Sequence, residues 1–140
     1  MTSQSITTKL KIVSWDEKPY QEFEDGRKLS RARVMLASEE GVGDDRLHLD
    51  ATWDAVLAYA ADGTGTYVGI MFADGTVDGH RGTFVQQGQG TFDGKQAVVE
   101  SFVVTSLGTG ELATLSGTSE CVSTHADYPY WPMTFTYELE

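Results

Sequence analysis

The sequence has very few of the residues that cross-link a protein or anchor it in a membrane. Among 140 residues there is one cysteine, Cys121, so no disulfide framework can form within the chain. The longest apolar run, 55–61, falls well short of the ~20 residues that a membrane-spanning helix needs. The first residues, 1–8, lack the basic and then apolar pattern of a secretory signal. We therefore expect a cytoplasmic protein without a membrane partner.

Basic side chains are also scarce, and they are unevenly spread. The chain has 10 Lys and Arg against 21 Asp and Glu, a net charge of -11, and after residue 46 the only basic side chains are Arg81 and Lys95. Nucleic acid is an unlikely class of partner on this basis, because phosphate backbones are held by clustered Lys and Arg. An acidic exterior either keeps a small domain soluble, the interpretation we favour, or steers cations or a basic partner to the surface.

Helical patterns are nearly absent, whereas strand patterns are frequent. Apolar residues alternate with polar ones along eight segments, the period of half-buried strands. These segments are 6–12, 32–36, 47–53, 68–72, 82–86, 98–104, 118–124 and 133–139. Only 20–25 and 110–115 offer a helical turn, and neither has a 3.6-residue apolar repeat. The sequence therefore predicts an all-β protein.

The connections between these segments predict how the strands are arranged. Five Asp-Gly pairs suit the positive-φ positions of hairpin turns, and they lie at residues 25, 62, 74, 78 and 93. A chain of 140 residues is about one domain. We predict one domain over 1–140, and the strands fit either a single closed eight-stranded antiparallel barrel, in which closure removes exposed strand edges, or a sandwich. Such a barrel either fills itself with side chains or holds one small ligand.

Common cofactor and metal motifs do not match the sequence. Two glycine-rich stretches, 63–69 and 88–94, are one residue too long for a dinucleotide loop and open no helix. One cysteine and three scattered histidines do not build a usual zinc site. His48, Asp50, Thr52 and Asp54 share one strand face, and we favour a solvated outer face there over a ligand or metal site. We predict no cofactor and no metal.

Glu100 is the carboxyl group with the strongest catalytic interpretation. It alternates with Val98, Phe102 and Val104, so an interior position for that face would hold an ionisable group among apolar side chains. Desolvation there would raise its pKa and suit it to general acid–base catalysis. The alternative is that Glu100 faces water or pairs with an arginine, because the opposite face of this segment is apolar as well.

Aromatic residues supply the predicted interior. An apolar core and a ligand pocket have similar composition, so these residues predict an apolar interior without distinguishing a filled core from a pocket. Gln86, Tyr59 and Glu100 are the polar groups available to such a pocket, and Met133 is an adaptable filler. The predicted apolar and aromatic lining comprises Trp53, Tyr59, Phe72, Phe84, Phe102, Met133, Phe135 and Tyr137.

Several stretches of the chain resemble an uncharacterised family of bacterial domains of unknown function. The resemblance lies in the segments 15–20, 29–32, 59–69, 78–85 and 108–112, and it extends over nearly the whole chain. The fold of that family is similar to the allene oxide cyclase barrel. The resemblance therefore implies an eight-stranded barrel that associates as a homo-oligomer. Residues 38–45 depart from the family pattern, so contacts at the barrel rim are expected to be particular to this chain.

The resemblance also implies a class of function, although it assigns no reaction to any residue. Allene oxide cyclase is a cofactor-free isomerase that folds a reactive lipid inside its barrel. We predict a cofactor-free isomerase or cyclase of a small hydrophobic unsaturated metabolite, in which Glu100 handles a proton and Tyr59 or Gln86 binds a carbonyl oxygen. The alternatives are a non-catalytic carrier of a hydrophobic molecule and a filled barrel that works through its exterior.

Overall fold

The computed structural model describes residues 3–140 and shows one closed barrel of eight antiparallel strands, each paired with its neighbours in chain order. The all-β prediction and the predicted closed eight-stranded barrel are confirmed. Residues 1 and 2 of the predicted domain lie outside the described residues. The strands are β1 (Gln4–Glu22), β2 (Lys28–Ala37), β3 (Leu47–Tyr59), β4 (Gly65–Val77), β5 (His80–Phe92), β6 (Gln96–Val103), β7 (Ser116–Thr124) and β8 (Tyr130–Glu138).

The two ends of the barrel are built differently. The connections β1–β2, β3–β4, β5–β6 and β7–β8 lie at one end, which we call the mouth. The longer connections β2–β3 and β6–β7 lie at the other end with the tight β4–β5 turn, and we call this the plugged end. The β6–β7 connection contains two short 3₁₀ helices, Thr105–Leu107 and Gly110–Leu112. Its side chains Leu112 and Leu115 are fully buried, so this connection closes the barrel at the plugged end.

Inside the plugged end, aromatic rings fill the barrel. Phe84, Phe135 and Tyr137 form a stacked column with ring centroids 5.9 Å and 5.2 Å apart, and all three are at most 2% exposed. The Tyr137 hydroxyl donates a hydrogen bond to Asp78 at 3.2 Å, so its polar end is satisfied at the rim. Leucines and valines of β1, β2 and β3 surround the column. This half of the barrel is a packed core.

The alternation correctly predicts which residues point inward on β1, β2, β3, β5 and β8, but it is wrong on β4 and β6. On β4 the inward residues include Gly69, Met71 and Ala73, and on β6 they include Val99 and Val103. Both strands have apolar residues on each face, so the alternation of apolar and polar residues does not indicate which face points inward. Pairing within the closed barrel selects the inward face, and on β4 a Cβ atom on Gly69 would lie 2.8 Å from the Trp53 ring. A residue larger than glycine would displace that tryptophan.

A β-bulge in β1 reverses the alternation within that strand. Ile12 pairs with Leu36, but the register then shifts, and Trp15 pairs with Val34. The extra residue of the bulge reverses which residues face the interior, since side chains alternate strictly along a regular strand. Trp15 and Glu17 therefore point toward the inside of the mouth, where the alternation of 6–12 alone would have placed Asp16.

The outer surface carries several exposed apolar side chains. Val68, Ile70 and Phe72 of β4 are between 44% and 51% exposed, and Val56 lies opposite Val68 on β3. An apolar patch on a sheet face is a common feature of subunit interfaces. The predicted homo-oligomer stays a prediction. In the described residues, no helix is long and apolar enough to cross a membrane.

Candidate functional site

The mouth half of the barrel encloses a cavity of about 240 Å³. It is smaller than the ~300–1,000 Å³ typical of sites for drug-sized ligands, so its occupant would be a small molecule. The cavity has apolar walls with few polar atoms. Its lining residues are Ile12, Trp15, Ala32, Trp53, Ala55, Leu57, Tyr59, Tyr67, Phe92, Ala97, Val99, Cys121, Ser123 and Trp131.

Small inward residues keep this half of the barrel open. Ala32, Ala55 and Ala97 occupy lining positions at which longer side chains would reach the centre. A Cβ atom on Gly90 would lie 2.6 Å from the Tyr67 ring, so glycine at this inward position of β5 leaves room for that ring. The Trp53 and Trp131 rings are tilted by 59° with centroids 6.1 Å apart. Rigid aromatic walls supported by small residues therefore shape the cavity.

A hydrogen-bonded cluster stands at the mouth of the cavity. The Tyr59 hydroxyl donates to Glu17 Oε2 at 2.7 Å, and Trp15 Nε1 donates to Glu17 Oε1 at 3.0 Å. Burial and the neighbouring Glu17 carboxylate raise the pKa of Tyr59 well above its ordinary value, so its hydroxyl stays protonated and acts as a donor. The Lys28 ammonium lies 5.0 Å from the Tyr59 ring centroid. This cluster is the main polar feature beside the cavity.

Two further ionisable groups line the wall. Burial raises the pKa of the Cys121 thiol to about 12 and is the main cause that raises the pKa of Tyr67 to about 12. The Tyr67 hydroxyl donates to the backbone carbonyl of Thr91 at 3.0 Å. Cys121 is 4% exposed and carries a neutral thiol at physiological pH, so it is a poor nucleophile in the folded protein.

One buried hydroxyl near the mouth has no partner. Ser30 lies between Pro19 of β1 and Leu57 of β3 and is fully buried. Its Oγ makes no hydrogen bond to any described residue. An unpaired buried hydroxyl costs free energy, so a buried water or a small shift of the chain that gave it a partner would be stabilising.

Of the residues predicted to contact a ligand, Trp53 and Tyr59 line the cavity. Phe84, Phe135 and Tyr137 belong to the packed half. Met133 is 4% exposed and, although inward, is not part of the cavity wall. The remaining polar candidate, Gln86, is buried in the core, where its Oε1 accepts a hydrogen bond from Ser119 at 2.7 Å and its amide lies 3.8 Å from Met71 Sδ.

Three predicted residues lie on the outside of the barrel, so their predicted interior positions are wrong. Phe72 and Phe102 are 49% and 48% exposed, and Glu100 is exposed as well. Glu100 stands directly opposite Glu120 on β7. Inward positions on β6 belong to the odd-numbered residues, which pair with inward residues of β5 and β7. The desolvation argument for Glu100 therefore fails.

Sequence reasoning missed Glu17, the carboxylate that the fold hydrogen-bonds to Trp15 and Tyr59 of the cavity wall. Its segment, 15–20, was singled out as a family resemblance but was assigned no role. The signal lay in the alternation of apolar residues. They occupy even-numbered positions up to Ile12, but the next large apolar residue of that series, Trp15, occupies an odd-numbered position. A bulge is the local structure that explains such a change.

The face formed by His48, Asp50, Thr52 and Asp54 points outward, as predicted, and Asp54 is ion-paired with Arg33 at 2.8 Å. Within residues 3–140, no group of three or more His, Cys, Asp or Glu side chains is placed to hold a metal ion.

Comparisons with known proteins identify relatives without identifying an activity. Residues 6–137 match a family described as a protein of unknown function, DUF3224. A crystal structure of a DUF3224 protein of unknown function from Shewanella oneidensis MR-1 is similar in fold, with a TM-score of 0.75 and 24% identity over 99% of each chain. No curated protein matches the chain.

Proposed function

Because the chain belongs to the DUF3224 family, whose function is unknown, we propose from the geometry of the barrel that this protein binds a small, largely apolar molecule. The molecule would occupy the mouth half, with its polar end beside Glu17 and Tyr59. The observation that carries the proposal is the apolar cavity of about 240 Å³, which persists while the other half of the same barrel is packed. Filling that space is favourable, since a bound molecule gains van der Waals contacts with the apolar walls.

Toluene tests the proposal with a neutral probe. We expect toluene to raise the thermal unfolding temperature of the protein in a concentration-dependent way, because a ligand that binds only the folded state stabilises it by mass action. Ala55→Leu places additional carbon atoms in the cavity and should abolish the shift. Absence of any shift in the wild-type protein up to the solubility limit of toluene would contradict the proposal.

The cofactor-free isomerase or cyclase is a second candidate, and the Glu17–Tyr59 pair favours it. A carboxylate that accepts a hydrogen bond from a protonated phenol at 2.7 Å combines a proton acceptor with a donor beside an apolar cavity. Glu17 would remove a proton from carbon next to a carbonyl and return it at another carbon. The Tyr59 hydroxyl, which has one proton to donate, would turn from Glu17 to the carbonyl oxygen. The double bond moves, and no atom or electron is gained or lost. The resemblance of the sequence to a family with an allene oxide cyclase-like fold supports this candidate by analogy of fold alone.

The catalytic candidate has its own test. The purified protein is incubated with the small-molecule fraction of its source cells, and bound and free compounds are compared by mass-resolved chromatography. We expect a product of unchanged mass and new retention time, formed by the wild type and by Glu100→Gln but not by Glu17→Gln or Tyr59→Phe. A compound recovered unchanged from all four proteins would leave binding as the function. A cytoplasmic location stays a prediction from the sequence.

A further inference from the structure

The walls of the mouth cavity are unusually aromatic for their size. Six of the fourteen lining residues have aromatic side chains, and these are Trp15, Trp53, Tyr59, Tyr67, Phe92 and Trp131. The faces of such rings carry partial negative charge, so they attract a cation placed over them, most strongly where water is excluded.

The Glu17 carboxylate stands beside two of these rings. Glu17 accepts one hydrogen bond on each oxygen, from Trp15 and from Tyr59, whereas a carboxylate has about four acceptor positions. Charge and acceptor capacity therefore remain for a ligand. Among the described residues, no Lys, Arg or His lines the cavity wall, and Lys28, which is not a lining residue, holds its ammonium over the Tyr59 ring.

The structure already shows one of these rings binding a cation. The ammonium of Lys28 lies 5.0 Å from the centroid of Tyr59, within the distance of a cation–π interaction. The chain as a whole carries a net charge of -11, which favours the approach of cations over anions.

We infer that the mouth cavity takes a small organic cation, a methylated or quaternary ammonium group carried on an apolar body. The aromatic walls would contact the methyl groups, and Glu17 would balance the charge at the mouth. This inference rests on the proposed function, since it names the class of ligand for the same cavity. A neutral apolar molecule of the same shape would lose the attraction of both the rings and the carboxylate.

An isosteric pair of probes tests the inference. Phenyltrimethylammonium and tert-butylbenzene have nearly the same shape and differ in charge. Tryptophan fluorescence reports on the site directly, because all three tryptophans of the chain line the cavity. We expect the cation to bind about tenfold or more tightly than its neutral isostere, the scale of a desolvated cation–π contact.

Two charge-removing variants give the matched control. Glu17→Gln and Glu100→Gln remove the same charge, but only Glu17 is hydrogen-bonded to residues of the cavity wall, whereas Glu100 is on the outer face. Glu17→Gln should reduce the preference for the cation several-fold, whereas Glu100→Gln should keep it. Should Glu17→Gln fail to fold, rising salt concentration serves instead, because it should weaken binding of the cation to the wild type and leave binding of tert-butylbenzene unchanged.

The outcomes separate the two claims. Equal binding of the two probes, tighter binding of tert-butylbenzene, or the same cation preference in Glu17→Gln would overturn the inference and leave the proposed binding function standing. If neither these probes nor toluene binds, the proposed function fails, and the inference fails with it.

Discussion

The two halves of this barrel share the same strands but differ in what their inward residues do. In the plugged half, Phe84, Phe135 and Tyr137 stack through the centre, and Leu112 and Leu115 close the end. In the mouth half, alanines and glycines lie among tryptophans, tyrosines and a phenylalanine, and a cavity of about 240 Å³ remains. An eight-stranded barrel can thus serve as core and as container within one chain, according to the size of the side chains it points inward.

The difference in packing between the two halves affects both the stability of the protein and its capacity to bind a ligand. The plugged half provides the packed apolar core that stabilises a domain of this size. The mouth half gives up some of that packing, and it also holds buried groups that ionise, Cys121 and Tyr67. Sites that bind ligands commonly lie where packing is incomplete.

The largest effect is expected in the plugged half. Phe135→Ala removes a fully buried ring that stacks on two others, and we expect a loss of about 3–5 kcal/mol in the free energy of unfolding. Urea unfolding followed by circular dichroism measures it. Phe72→Ala is the control, because this ring is 49% exposed on the outer face and its loss should cost about 1 kcal/mol or less. Equal costs would contradict the assigned faces.

The same substitution made in each half tests the comparison directly. Ala73→Leu adds carbon atoms to a fully buried position in the plugged half and should destabilise the protein by about 1–3 kcal/mol. Ala55→Leu adds the same atoms to the cavity wall, where space exists, and should change stability by less than about 1 kcal/mol. Urea unfolding compares the two variants. A larger loss for Ala55→Leu would show that the mouth half is packed as tightly as the other.

Alkaline pH should act on the mouth half. Burial raises the pKa of Cys121 from 9.0 to about 12, so between these values the unfolded chain releases a proton that the folded chain keeps. The free energy of unfolding should therefore fall as pH rises through this range. Urea unfolding at several pH values measures the slope, which should be shallower in Cys121→Ala. If the free energy of unfolding fell equally steeply with pH in both proteins, the loss of stability at alkaline pH would be due to the tyrosines.

The smallest effect concerns the outer face. Glu100 and Glu120 stand opposite each other on β6 and β7, and like charges in such a pair repel. Glu100→Gln should raise the free energy of unfolding by about 0.2–1 kcal/mol, and the gain should shrink with added salt. Destabilisation by this change would indicate that Glu100 has a partner that the barrel surface does not show.

The sequence pattern was sufficient for the strands, and the family resemblance supplied the closed barrel. Alternation along eight segments and Asp-Gly pairs at four of the seven connections predict the strands and their hairpins, because side chains alternate across every strand and turns need particular backbone angles. The fifth pair, Asp74-Gly75, was predicted as a turn but lies inside β4. Where one face of a segment is polar, as on β3, the inward residues follow as well. That is how Trp53 was correctly placed inside.

The tertiary structure decided the faces of β4 and β6 and the composition of the site. Both strands are apolar on each face, and pairing within the closed barrel selects the inward one. On β4 that face includes Gly69, where a Cβ atom would lie 2.6 Å from the Asp54 carbonyl oxygen and 2.8 Å from the Trp53 ring. Glu17 faces Tyr59 of the cavity wall because the bulge after Ile12 pairs Trp15 with Val34 and Glu17 with Ala32. Local pattern thus determines the strands, whereas closure of the barrel, which brings distant residues into one limited volume, determines which side chains face the cavity.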